Sequence, residues 1–277
     1  MGLRYTRIEP VIDFWKSRNP AFLWAPTSLD TLLLDRARGL KGTPVGLGAT
    51  IRPGGIVQVP GGTSSYITFP TNVGIGGGIS PFIGVMLVSV VDPSSLTGEF
   101  LKIGGVVNGL GYGAGATTFD DTGGNIVLLQ EAVAWTVGPA SAFVSGLNVL
   151  AFGVTNQSVN VFTSLTNGSD VSNTAASSNI APDPFLSING AAGGRNSNAK
   201  VHAIAIYQKS LTNAEFVAER ALLAAPALKL GIIQRSSVDS MFVARRSFDG
   251  LSPAGGAIFM ARPGLSIRQS VHRASVW

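Results

Sequence analysis

Reactive chemistry in this chain has to come from a short inventory: fifteen Asp and Glu residues, two histidines and no cysteine among 277 residues. Glycoside cleavage needs two carboxyl groups flanking one bond, about 5–5.5 Å apart in retaining enzymes, so on a strand they occupy alternate positions. No strand-like segment holds Glu-x-Asp or Glu-x-x-x-Glu. Glu215 and Glu219 have the second spacing, but they follow Thr212 and read as a capping residue and its surface neighbour. A Ser-His-Asp site would need His202 or His272 beside an activated serine. His202 falls at an alternating strand position, as a packed or rim residue does, and His272 lies near the chain end. Gly109 to Gly115, with glycine at every second position, superficially suggests a phosphate cradle. A dinucleotide site requires a helix directly after the glycines, and Ala116 to Phe119 run into Asp-Asp-Thr-Gly-Gly instead. This segment reads as a flexible loop. Without cysteine there are no disulfides, thiolate zinc sites or cysteine nucleophiles. No enzyme is expected, and no cofactor.

Binding chemistry has more candidates. Asp120 and Asp121, ahead of Gly123-Gly124, could ligate calcium together with backbone carbonyls, since Ca²⁺ takes six to eight oxygens. The same pair also serves as an ordinary hairpin turn. Trp24, Tyr112 and Trp135 are the aromatics best placed to stack on a sugar, although a sandwich core consumes aromatics too. Arg235, Arg245, Arg246, Arg262, Arg268 and Arg273 are spaced singly among small and apolar residues, a pattern that fits contacts with neighbouring protein subunits. Those six have no interleaved aromatic platform for stacking bases, so nucleic acid is not the expected partner.

The elements that position these residues follow from composition. Aliphatic and aromatic residues make up 45% of the chain and charged residues 13%, about half the roughly 25% usual for soluble domains. Apolar runs separated by Gly, Ser, Thr and Asn clusters describe many short strands and few helices. Mean hydropathy is +0.32. The longest apolar stretch, Pro81 to Val91, is about half the ~20 residues a spanning helix needs, so no membrane partner is expected. MGLRYTRIEP lacks the apolar core of a secretory leader, and Met1-Gly2 with Thr6 fits only the bare myristoylation pattern. The net charge of +5 is uneven: residues 1–19 carry +2, residues 20–226 carry −2 and residues 227–277 carry +5. The basic ends flank a mildly acidic body. That division predicts an N-terminal arm over 1–19, a sandwich over 20–226 and a basic, partly apolar extension over 227–277.

Along the chain, Ile56 to Val59 and Tyr66 to Phe69 flank Pro60-Gly61-Gly62 and read as a hairpin-like pair. Phe82 to Val91 is a near-continuous apolar run, the pattern of a central strand buried on both faces. Phe100 to Val107, Ile126 to Val137, Leu147 to Val154, Ser158 to Leu165, Phe185 to Ile188 and Val201 to Tyr207 follow as strands. Three Asn-Gly steps, at 108, 167 and 189, mark turns because both residues tolerate positive φ. Thr212 to Glu215 is a capping box that opens a helix with apolar positions at helical spacing, and Pro226 is expected to stop it. About ten strands and one short C-terminal helix make an all-β antiparallel jelly-roll sandwich with extended N- and C-terminal arms.

The order of features resembles the laminin-G-like, concanavalin A-like lectin and glucanase family, of the kind found in bacteriophage structural proteins. Leu33 to Thr43 resembles the family's early "D-x-S-G-x-x-G-T" turn, with Ala37-Arg38 in place of the usual serine. Val59 to Ile67 is similar to its "F-x-G-x-x-D-Y-V" hairpin. Leu147 to Val154, then Val159 to Gly168, are similar to "H-V-A-x-T" and "v-x-l-Y-v-N-G". Leu186 to Gly190, followed by Val201 to Phe216, resembles the closing "l-x-I-G" and "V-x-I-Y-n-r-a-L-s-x-x-E-I". The resemblance covers about three quarters of the chain. Ser65 stands where the hairpin usually offers Asp, and Val201-His202 where an acidic pair is common, which speaks against a calcium-dependent lectin site. The resemblance implies a non-enzymatic structural protein of a tailed bacteriophage virion, in capsid decoration or the tail, homo-oligomeric and bound to other virion proteins. The alternative it leaves is a carbohydrate-binding adhesin module with a glycan as partner.

Overall fold

A computed structural model describes residues 8–28, 30–45, 50–52, 55–57, 66–70, 81–96, 98–103, 112–116, 126–130, 133–136, 143–157, 159–166, 169–174, 186–189 and 199–230. Among them, fifteen strands form two antiparallel sheets, with two helices. The all-β sandwich expected from the turn-punctuated sequence is what the chain folds into.

The eight-stranded sheet has the order β13 (Ser169–Thr174), β12 (Val159–Ser164), β11 (Gly146–Val154), β6 (Phe82–Val90), β15 (Lys200–Tyr207), β4 (Gly55–Val57), β3 (Thr50–Arg52). Strand β1 (Phe22–Trp24) pairs with the far end of β15, Phe22 opposite Ile206. The seven-stranded sheet runs β10 (Val133–Thr136), β9 (Ile126–Gln130), β8 (Tyr112–Ala116), β7 (Gly98–Ile103), β14 (Leu186–Ile188), β5 (Tyr66–Phe69), β2 (Thr43–Val45).

Alternation of side chains along β6 explains its unbroken apolar run. Phe82, Met86, Val88 and Val90 face the other sheet and join Phe69, Phe100, Leu101 and Ile188 in the interior core. Ile83, Val85 and Leu87 face outward, into a second buried cluster with residues of both helices. A strand covered on both faces has no polar side to show. At the centre of β6, Gly84 lies opposite Phe152 of β11, whose ring occupies the space a side chain at 84 would need. Edge-to-face contact between Phe22 and Phe69, centroids 5.1 Å apart, ties the two sheets together.

Helix α1 (Glu9–Ser17) begins on a proline in its first turn and buries Val11, Ile12 and Trp15. The Trp15 indole donates to the Leu223 carbonyl at 3.0 Å, and the Tyr207 hydroxyl donates to the Trp15 carbonyl at 2.9 Å. Residues 9–17 are therefore part of the body and not an arm. Helix α2 (Asn213–Lys229) opens on the expected capping box. Glu215 accepts from the backbone and hydroxyl of Thr212, both at 2.8 Å, and these hydrogen bonds hold its carboxyl below the usual range. Pro226 does not stop this helix, which continues to Lys229. Proline forfeits one backbone bond, but full burial of Leu223, Ala224 and Ala227 against the sheet holds the last turn in place.

Three further expectations need correction. Strands β4 and β5 lie in different sheets, so they do not pair with each other as a hairpin. The run 126–137 is two strands, β9 and β10, paired with each other, Val133 opposite Gln130. Tyr112 to Ala116 of the glycine-rich segment, expected as a flexible loop, form an interior strand of the seven-stranded sheet.

The early turn has a physical reason for its Asp and Gly. Buried Asp35 accepts through Oδ1 from the backbone of Leu23 (3.0 Å) and of Ala37 (2.9 Å), anchoring the loop to β1. A side chain at Gly42 would meet Ile67 and Phe69 at 2.8 and 2.9 Å, so only glycine permits that approach.

Candidate functional site

The sequence-predicted site residues do not come together. Trp24 is fully buried, because it and Phe22 point from β1 into the core between the sheets while Leu23 faces the helical layer, and its indole donates to the Leu32 carbonyl at 2.7 Å. It has no face to offer a sugar, which corrects that expectation. Tyr112 opens β8 opposite Ile103 and Gln130, and Trp135 sits in β10 opposite Leu128. Asp120, Asp121, Arg235, Arg245, Arg246, Arg262, Arg268 and Arg273 lie outside the described residues. Among the described residues, no group of three or more His, Asp or Glu side chains is arranged to hold a metal ion.

The chemically loaded place is the end of the eight-stranded sheet where its helical cover stops. Outward side chains on β6 change in order: Ile83, Val85 and Leu87 are fully buried, Ser89 is half-buried and Val91, just beyond the strand, is 87% exposed. The neighbouring strands repeat the gradient. On β11, Ala151 and Val149 are buried and Leu147 half-buried, and Ser145, just ahead of the strand, is exposed; on β15, Ala205 and Ala203 are buried and Lys200 is half-buried. Ser89 pairs with Leu147 on one side and Lys200 on the other, so the three share one row of the sheet.

Register between β6 and β15 slips between Val201 and Ala203, leaving His202 as the extra residue of a bulge. Bulges re-aim a side chain. This one sets the His202 ring against Ser89, Nε2 to Oγ 2.7 Å, with His202 7% exposed. Of the two positions expected for His202, packed or rim, the packed one is found, with Ser89 as its partner. The tautomer decides which group donates. Ser145 donates to the Val91 carbonyl at 2.8 Å, which brings Val144, another exposed apolar residue, to the same end of the sheet. Asp92, next to Val91, accepts from the hydroxyl and backbone of Ser94 (2.7 and 2.9 Å), and these bonds hold its carboxyl below the usual range. It caps the 3₁₀ turn Pro93–Ser95 and is occupied there.

A second polar cluster, at the opposite end, is structural. Glu219 of α2 accepts from Lys209 at 2.6 Å and Arg18 at 3.0 Å. Burial pushes its carboxyl up, while the hydrogen bonds and charges of Lys209 and Arg18 outweigh that and leave it below the usual range. Tyr207 beside it is pushed well above the ordinary phenol range, first by burial. This group fastens α1, α2 and the exit of β15 to one another, so Glu219 is a clasp and not the surface neighbour expected. Arg220, also buried, hydrogen bonds to the Thr163 hydroxyl beneath the helix.

No family model and no curated protein matches this chain. Among solved structures it is similar to domain 4 of AbnA, a GH43 extracellular arabinanase from Geobacillus stearothermophilus in complex with arabinotriose. Identity there is 16% and the TM-score 0.46, over 70% of this chain and 96% of that one. It is also similar to Trypanosoma rangeli sialidase in complex with the inhibitor DANA, at 17% identity and TM-score 0.46, over 66% of this chain and 29% of the sialidase. The CBM40 of the Ruminococcus gnavus IT-sialidase, bound to α2,3-sialyllactose, is 11% identical with a TM-score of 0.40, over 52% of this chain and 91% of that one.

Proposed function

We propose that this chain is a non-catalytic carbohydrate-binding sandwich whose ligand seats at the Ser89–His202 rim. The observation that supports this reading is the 2.7 Å hydroxyl–imidazole pair set by a bulge where the helical cover ends, beside the exposed Val91. Sugar recognition needs a few positioned polar groups for hydroxyls and an apolar surface for the C–H face. The Ser89 hydroxyl, held by the buried His202, supplies the first, and Val91 with Val144 the second. A Ser-His pair alone is not a hydrolase, which also needs an orienting acid and oxyanion donors. The full chain applied to a glycan array, with Ser89→Ala in parallel, tests the proposal. Retention of defined glycans by the wild type and their loss from the variant are expected; an array that is silent for the folded wild type would defeat it.

A second reading, that the protein is a structural component of a phage virion, is favoured by the sequence beyond the helical body. That extension combines Arg235, Arg245, Arg246, Arg262, Arg268 and Arg273 with apolar runs such as Met241-Phe242-Val243, a composition suited to strand addition on a neighbouring subunit. The fold fixes where to cut. Ala227 is fully buried, so the truncation that spares the body removes residues 231–277. On this reading the truncated chain stays folded and fails to assemble, and assembly by the truncated chain would dismiss it.

A further inference from the structure

We propose that residues 1–7 and 231–277 act together as one contact for an acidic protein surface, an inference that rests on the second reading above, in which the chain is part of an assembly. The fold is what joins them. In α1, Trp15 reaches the Leu223 carbonyl, and Arg18, further along that helix, reaches Glu219, which comes earlier in α2. The two helices therefore run antiparallel, with axes about 8–10 Å apart where they pack. Continued from the Trp15–Leu223 contact by about two turns in each helix, the same pairing sets Ile8 beside Leu230. The segments on either side of the body in sequence are thus attached next to each other, at one end of the helical layer.

Charge divides along the same line. Residues 1–7 carry +2 and residues 231–277 carry +4, which leaves −1 on everything between. At the point of attachment Lys229 adds an exposed cation, and Glu9, in the first turn of α1, faces Arg36 at 3.8 Å. All six lysines lie within 8–230, and the two segments use arginine instead. The arginine fork matches a carboxylate with two hydrogen bonds. Apolar residues accompany it: Met241-Phe242-Val243-Ala244-Arg245 recurs as Ile258-Phe259-Met260-Ala261-Arg262, and Arg4 and Arg7 flank Tyr5. Arginine beside aromatic residues and methionine is the composition that anchors protein interfaces, whereas a phosphate backbone is held by charge without apolar anchors. A second copy of the chain, near neutral between its two basic segments, supplies little complementary charge. The partner this composition fits is a different, acidic chain.

The test titrates the full chain into a labelled glutamate peptide with leucine at every fourth position, about 20 residues long and so about 65 Å when extended, enough to span both segments. One peptide per chain is expected, bound more weakly as salt rises from about 50 to about 500 mM. Arg4→Gln/Arg7→Gln and Arg245→Gln/Arg246→Gln, which leave both helices untouched, are each expected to weaken it about tenfold, because either loss turns a two-point contact into one. Two peptides per chain, with each double variant removing one, would overturn the joint contact. So would an Arg4→Gln/Arg7→Gln chain that binds like the wild type, or a wild type that does not bind the peptide. Tighter binding of a DNA duplex of equal charge, or of phosphatidylglycerol vesicles, would overturn the protein partner. Assembly separates this inference from the reading beneath it. If the chain lacking 231–277 still assembles, both fall; if it fails to assemble while Arg4→Gln/Arg7→Gln assembles and binds in full, only this inference falls.

Discussion

The outer face of the eight-stranded sheet divides into two regions with one backbone between them. Over Ile83, Val85, Leu87, Ala203 and Ala205, α1 and α2 lie on the sheet and every outward side chain is apolar and buried. One row further along the same strands, the helices no longer cover the sheet, and Ser89, Lys200 and the bulged His202 take over. The strands are continuous across the border, so what changes is the cover and the chemistry the residues can afford. Burial of Ile83, Val85 and Leu87 in the first region contributes about 1.5–3 kcal/mol each. In the second, Ser89 and Lys200 are half-buried, and the buried His202 packs against the Ser89 hydroxyl.

Variants on either side of that border should therefore fail in different ways. Trp15→Ala attacks the cover: it empties a fully buried indole site and removes the hydrogen bond to Leu223. A loss of about 3–5 kcal/mol in denaturant unfolding is expected. Gly84→Ala, beneath the strand row both regions share, drives a methyl into the Phe152 ring. About 1–3 kcal/mol of overpacking cost is expected in the same measurement.

Glu219→Gln loosens the clasp that holds α1 to α2. Its partners Arg18 and Lys209 are 27% and 30% exposed, so solvent screening limits the cost to about 1–2 kcal/mol at neutral pH. Its carboxyl titrates below the ordinary 4.5 in the folded state. The stability it contributes is therefore fully present above that value and is lost as pH falls through the folded pKa. Acid melts of the Gln variant should show a flatter limb below pH 4.5 than the parent. Ser89→Ala is the smallest of the four, with less than about 1 kcal/mol expected in stability because the site is half-buried. It is also the one expected to abolish glycan retention.

Much of the sandwich was legible because turn chemistry is local. Asn189 adopts φ of 68°, as its Asn-Gly step predicts, and Thr212 with Glu215 caps the helix as written. The two-sided burial of β6 could be read from an apolar run too long for alternation. Helix α1 could have been read as well, since Ile8, Val11, Ile12 and Trp15 recur at i, i+3, i+4 and i+7. The basic residues around them drew attention instead and suggested an arm. Sheet membership was not legible. Strand β4 and strand β5 are close in sequence, yet pair with β15 and β14 in opposite layers.

The site was hidden for a related reason. Ser89 looks like one polar residue inside an apolar strand, and its partner His202 is 113 positions away, brought across by a bulge that no local pattern announces. Trp24 misled in the opposite direction. An aromatic in a three-residue strand gives no hint of which side it faces, and this one faces the core between the sheets.

The most direct test of this division is hydrogen–deuterium exchange of the full chain with and without a glycan retained on the array. Added protection confined to the end of β6 and the start of β15, around residues 86–91 and 199–203, is the predicted result. Protection centred on the seven-stranded sheet, or on the helices while that rim exchanges unchanged, would contradict it.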